Sequence, residues 1–303
     1  MAKLIKHVFR YGRRVLRVFR HHIDRFLLPR VSEIIVFQSY EAGFFSNFNC
    51  VMSYLASLDR FPNLQTIGVD WTIRRRYRSH FSFGQPEDGN IWIHFFEPLP
   101  FPPHRSILTH RMNRFLDYQI TGKNATGLYR SGDAWRKRYH TAYTRYIHVR
   151  PEIERRVSEI YDTRMKGHCC LGLHIRHSLH KREQPDKRMP TIQDFIASAN
   201  HFVKTQPRST VVFLATDTAE VVNQVTEAVR APVVIQPDVT RASADSKKQL
   251  HIGNPNPALK LGQDVLVDGL LLARCDALIH VTSNVATAVG YMNPDIEMIY
   301  CTP

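Results

Sequence analysis

Hydrophobic positions follow two regimes along this chain. In the second half they form short unbroken runs, separated by longer stretches where they recur every three or four residues. Unbroken runs suit strands buried on both faces, and the recurring pattern suits amphipathic helices. The pattern predicts strands over 169–175, 210–216, 232–236, 276–281 and 296–301, with helices over 191–205, 218–229, 262–274 and 283–290. A loop is expected over 237–260. Strands alternating with helices imply a parallel sheet covered on both faces, an α/β fold.

The first half is less regular. Strands are expected over 33–37, 66–71 and 90–96, and a helix from about 47 to 58 with Ser46 or Asn47 as its cap. Residues 74–90, with Arg74-Arg75-Arg76 and nearby Arg78, read as a polar loop. Prolines at 98, 100, 102 and 103 break regular structure. Helices are expected near 105–117 and 132–148, and over 152–166. In residues 1–30 apolar positions recur at helical spacing between basic ones, which predicts a basic amphipathic helix.

Composition narrows the class. A chain of 303 residues with 43% hydrophobic content suits two modest globular domains. The formal net charge is +14. Residues 1–30 hold nine lysines and arginines against Asp24 alone, so +8 of that charge sits there. Such a helix suits an anionic membrane surface, or equally a packed helix with a solvated basic face. No nucleic-acid recognition motif accompanies the charge, so no specific nucleic acid is expected. No apolar run is long enough for a membrane span or a signal core. Five cysteines, two of them adjacent at 169 and 170, make no disulfide framework and no zinc spacing. Cys169, Cys170 and Cys275 read as small buried thiols, and the expected setting is cytoplasmic, peripheral to a membrane surface.

Three segments carry chemistry. Leu171 to Ser178 delivers His174 and Arg176 to a strand end, on one face because alternate residues share a face. Arg suits a two-pronged grip on phosphate. Val211 to Thr218 ends abruptly in Thr216-Asp217, and ligands of open parallel sheets bind beyond such ends. Asp264 to Val285 reads as helix, turn, strand, then Ser283-Asn284 opening another helix, where free N–H groups attract anions. Each has an ordinary structural alternative. Arg176 could pair with a local acid, His174 could be a core histidine, Asp217 could cap a helix, and Asp268 could pair with Arg274 or Lys260. Asp264 and Asp276 read as cap and turn residues.

Together, in this order and spacing over roughly 167–291, the three segments resemble the donor-binding half of the α1,6-fucosyltransferases and protein O-fucosyltransferases, the rhizobial nodulation fucosyltransferase included. Glu41 to Asn49 is similar to the Gly-containing loop between their first strand and first helix. The resemblance implies a GT-B-like fold: two Rossmann-type domains facing a cleft, here an acceptor-side domain over 31–165 and a nucleotide-sugar domain over 166–303, preceded by the helix of 1–30. It implies an inverting, metal-independent glycosyltransferase that moves fucose from a GDP-sugar to a glycan or lipid-linked acceptor. No cofactor is expected, and the Asp-x-Asp element of metal-using glycosyltransferases is missing. The resemblance makes Arg176 the contact to the leaving phosphates, with His174 beside it and Glu183 as the base; Asp186 and Glu41 are the alternatives for that base. Gly43, Asn47, Asp217, Asp268, Ser283 and Asn284 become substrate-binding. The chain departs from the family at His177, where a second Arg is usual, and at Leu179, where an Asp is usual. This leaves open another deoxyhexose or a pentose as the donor sugar, or a catalytically idle glycan- or partner-binding relative. A basic membrane- or nucleic-acid-binding scaffold is the reading from a different class.

Overall fold

The computed structural model describes residues 30–38, 42–72, 83–101, 109–112, 133–176, 189–243 and 258–303. The expected basic helix lies outside them apart from Arg30, as do Glu41, Arg74 to Arg78, His177, Leu179, Glu183 and Asp186.

In the first half, β1 (Glu33–Phe37), α1 (Phe44–Leu55), β2 (Thr66–Asp70) and β3 (Thr109–Met112) precede two helices, α2 (Asp133–Tyr146) and α3 (Pro151–Arg164). The strands form a parallel sheet in the order β2-β1-β3. The second half runs β4 (Cys169–Ile175), α4 (Ile192–Thr205), β5 (Thr210–Thr216), α5 (Ala219–Ala228), β6 (Val233–Val234), α6 (Ala258–Ala273), β7 (Ala277–His280), α7 (Asn284–Met292) and β8 (Glu297–Tyr300). Its parallel sheet has the order β6-β5-β4-β7-β8. Counted within this half the order is 3-2-1-4-5, that of a doubly wound nucleotide fold, and it reverses between β4 and β7.

Alternation along β4 sorts its side chains between two cores. Cys169, Leu171, Leu173 and Ile175 pack with the buried faces of α4 and α5. Cys170 belongs to a second cluster that runs on into the first half through Val36, Phe48 and Trp92. Gly172 lies on that second face, and a side chain there would collide with Leu272 of α6 at 2.9 Å. Thr191 starts α4 with a reciprocal capping box: its hydroxyl accepts from Asp194 N–H, and the Asp194 carboxylate accepts from Thr191 N–H at 2.7 Å.

The first half is held by rings. Phe44 meets Phe45, Trp71, Phe83 and Phe95 edge-on at centroid distances of 5.0–5.8 Å, and Phe48 stacks on Phe96 at 5.0 Å. The rings of Phe95 and Phe45 sit against Gly262 and Gly269 of α6, where any Cβ would overlap them. A glycine inside a helix costs about 1 kcal/mol relative to alanine. Here that cost is offset by ring burial between the halves.

Three expectations are corrected. The run 90–96 is not a strand: Ile91–His94 is a 3-10 turn, whose Asn90 side chain accepts from Trp92 N–H and Trp71 N–H. Its aromatic residues are buried by ring contacts, with Trp92 and Phe96 at 4.4 Å, so their apolar character carries no ladder. The described part of 105–117 is the strand β3, not a helix, because the open edge of β1 supplies backbone partners that outweigh weak local propensity. Helix α1 begins at Phe44 with Gly43 as its cap, three residues before the expected start.

Helix α2 packs against both α1 of the first half and α7 of the second, and α3 packs against α6 of the second half. All five cysteines are free and buried. Burial, helped by the nearby Asp276 charge, pushes the Cys170 thiol up to about 11. Among the described residues no helix is long and apolar enough to cross a membrane.

Candidate active site

A cavity of about 350 Å³ opens at the carboxyl ends of β4 and β5 and against the start of α7, which follows β7, so it reaches the order reversal between β4 and β7 where such sheets bind ligands. That is within the roughly 300–1,000 Å³ usual for ligand sites. Gly43, His174, Arg176, Asp217, Asp268 and Asn284 all line it. The chain thus brings together six predicted residues from five separate segments.

Two others sit one step back. Ser283 is buried; its hydroxyl accepts from Ala286 N–H at 3.0 Å, capping α7, and lies 3.5 Å from His174 Nδ1. Asn47 does not line the cavity, contrary to expectation. Its amide turns back to donate to the carbonyls of Ala42 and Gly43 at 3.2 and 3.4 Å, because α1 starts early enough to bury it. Ser46 lines the cavity instead. Glu183 lies outside the described residues.

Asp217 is not the cap of α5. Thr218 holds that position, and its hydroxyl donates to Asp217 at 3.2 Å. The Asp217 carbonyl accepts from Ala242 N–H at 2.8 Å, and Ala219 N–H donates back to Ala242 at 2.9 Å. These two bonds dock the segment after β6, which brings Val239 and Thr240 to the cavity. No sequence signal marked those two residues, since a docked loop has no periodicity.

Asp264 and Asp268 stand one turn apart on α6 and both line the cavity. Asp264 is no cap. It is buried mid-helix and accepts from Lys260 Nζ at 2.7 Å, Arg156 Nη1 at 3.0 Å and Gln236 Nε2 at 3.1 Å, so its charge is fully partnered. The four-residue spacing from Lys260 was a readable signal for that pair. Asp268 pairs with neither Arg274, which bonds Glu154, nor Lys260. Its Oδ1 is buried without a hydrogen-bond partner. Burial pushes its carboxyl up to about 7; the Asp264 charge adds to this, while Arg241 and Arg156 oppose it. A buried carboxylate oxygen with no partner at a cavity wall is suited to a ligand's hydroxyl or N–H.

The arrangement is therefore polarised. One wall carries Arg176 and the opening of α7, suited to anionic groups. Another carries Asp217 and Asp268, suited to donors such as sugar hydroxyls or a base edge. Phe44, Phe45 and Phe83 contribute apolar surface from the first half. Among the described residues no cluster of three or more His, Cys, Asp or Glu is placed to hold a metal ion.

Comparison with known proteins agrees with this geometry. The crystal structure of a NodZ α-1,6-fucosyltransferase soaked with GDP-fucose superposes with a TM-score of 0.56 at 18% identity, over 88% of this chain and 94% of that one. The fucosyltransferase NodZ from Bradyrhizobium superposes with a TM-score of 0.54, also at 18% identity and over the same shares. These likenesses establish the fold, GT-B. None of the curated protein sequences matches the chain. The model of nodulation protein Z matches residues 131–291, from just before α2 into α7. That stretch is more than half of the chain and supplies most of the cavity wall, and on it the chain belongs to the NodZ family.

Proposed function

We propose that the protein is an inverting fucosyltransferase that takes its sugar from GDP-fucose and needs no metal ion. The observation that carries the reading is the convergence of Arg176, Asp217, Asp268 and Asn284 on one polarised cavity at the switch point of the second sheet. The acceptor is a glycan or a lipid-linked glycan, whose hydroxyl oxygen attacks the anomeric carbon. The bond from that carbon to the β-phosphate oxygen breaks, and GDP departs with the electron pair. Arg176 and the donors at the start of α7 stabilise the charge that grows on the phosphates. His174 lines the cavity beside Arg176, with Ser283 behind it. Asp217 and Asp268 accept from the guanine and ribose. Glu183, assigned by its sequence offset from Arg176, takes the acceptor's proton. The basic residues 1–30 hold the enzyme at an anionic membrane surface.

The test is a melting-temperature series with GDP, UDP, CDP and ADP, with and without EDTA, since a ligand of the folded state raises the melting point. GDP is expected to give the largest rise, unchanged by EDTA, and slow release of GDP from GDP-fucose should survive chelation. Equal rises for all four nucleotides would remove the guanine assignment. Loss of turnover in EDTA would remove the metal-free one.

A further inference from the structure

Behind the start of α7 lies a buried polar chain that crosses from the first half to the second. Asn49 of α1 and Tyr291 of α7 are both buried. Asn49 Nδ2 donates to the Asn284 carbonyl at 2.9 Å and to Asn284 Oδ1 at 3.3 Å. The Tyr291 hydroxyl donates to Asn49 Oδ1 at 2.7 Å.

The directions of these bonds follow from one fixed point. A backbone carbonyl can only accept, so the Asn49 atom facing the Asn284 carbonyl is its NH2. The Asn49 oxygen then faces Tyr291, and the phenol must donate. Tyr291 is suited to that, because burial among Tyr143 and Tyr139 keeps it protonated far beyond neutral pH. The same Asn49 NH2 selects the oxygen of the Asn284 amide. The Asn284 NH2 makes no hydrogen bond among the described residues, while Asn284 lines the cavity.

We infer that Tyr291 and Asn49 are positioning residues: through a one-way relay they hold the Asn284 amide with its NH2 presented to the cavity, as a donor to the leaving diphosphate. This rests on the reading of the cavity as the GDP-sugar site. An amide is otherwise free to rotate by half a turn and present its oxygen, which repels an anion. The relay also ties the loop at Gly43 to the start of α7, since Asn49 lies in the second turn of α1.

The test is GDP affinity by calorimetry for the wild-type chain, Tyr291→Phe, Asn284→Ala and the double variant. Tyr291→Phe deletes only the hydroxyl and is expected to weaken GDP binding about three- to tenfold, with Asn284→Ala at the upper end of that range or above it. The double variant is expected to bind no worse than Asn284→Ala alone, because a relay has nothing to act on once its end is gone. Asn49→Ser provides a second break and should show the same non-additivity. Wild-type affinity in Tyr291→Phe, or a fully additive loss in the double variant, would overturn the relay while leaving the donor site intact. Failure of the wild-type chain to bind GDP would overturn the donor reading and the relay with it.

Discussion

The two halves use parallel strands in different ways. In the second half the sheet is the scaffold. Five strands carry alternating cores, helices cover both faces, and the cavity opens at the strand ends. In the first half the described sheet has three strands, and much of the burial belongs to rings: Phe44, Phe45, Phe48, Trp71, Trp92, Phe95 and Phe96. A strand-built core is read by period, whereas a ring-built core is held by volume and edge-to-face geometry, which leave no period. The difference also divides labour at the site. The second half contributes charge and polar atoms, and the first contributes apolar surface and the Gly43 loop.

The strongest way to test that contrast is to remove a ring. Phe44→Ala should cost about 3–5 kcal/mol, the usual loss for a buried Phe. Because one core cluster spans both halves, tryptophan fluorescence and far-ultraviolet circular dichroism should report one coincident transition in denaturant. All three tryptophans, at 71, 92 and 135, precede β4, so two separated transitions would show that the halves fold independently. Next in size is the charge. Arg176→Ala should lower kcat by about two to three orders of magnitude, and Arg176→Lys should recover only part, since an ammonium cannot make the two-pronged contact. Steady-state rates with GDP-fucose check this, and full activity in Arg176→Ala would remove the assigned role.

Asp268 gives a smaller effect with a definite sign. Its folded carboxyl titrates at about 7, while an unfolded Asp titrates near 4. Between those values the folded chain keeps a proton that the unfolded chain has lost. The contribution of this group to stability therefore falls as pH rises from about 4 to about 7, and remains lost above. Asp268→Asn should be more stable than wild type at pH 8 by up to about 4 kcal/mol, with the difference vanishing toward pH 4. The same variant should bind GDP roughly tenfold less tightly, because an oxygen held ready for a ligand is unfavourable without one. Melting curves at several pH values and a GDP titration read both effects. The smallest change is Thr191→Ala, expected to cost about 1 kcal/mol through the lost cap of α4 with kcat unchanged. A large activity loss there would mean that α4 reaches the site.

The same contrast explains what the sequence revealed. β4 and β5 occupy the expected residues because their runs are apolar throughout and bounded by polar segments. His174 near the end of β4, and Arg176 and Asp217 just past the strands, were legible for that reason. The strand expected over 90–96 is a turn because Trp92, Phe95 and Phe96 are buried against Phe44, Phe48 and Trp71 as well as against one another. β3 was hidden because Thr109-His110-Arg111-Met112 has no apolar run, and its place is set by the edge of β1. Asp264 looked like a cap because the helix was expected to start at 262; α6 starts at Ala258, which places Asp264 inside it, and one of its partners, Arg156, lies 108 positions away. Asn47 looked like a ligand contact through the resemblance of 41–49 to the family's loop, but α1 begins at Phe44 and the Asn47 amide bonds back to Ala42 and Gly43.

The two ring-filled notches on α6 bear on how the cleft can move. Small polar contacts between domains permit hinge motion as the default. Here, parting α1 and the 3-10 turn from α6 would expose Phe45 and Phe95, each contributing about 1.5–3 kcal/mol when fully buried. An opening at that seam therefore costs on the order of 3–6 kcal/mol, and by that estimate fewer than about one molecule in a hundred is open there at any moment. The cleft behaves as a standing mould along this edge, not as a jaw. Donor capture need not wait for a rare open form through this seam, and its rate should rise linearly with donor concentration.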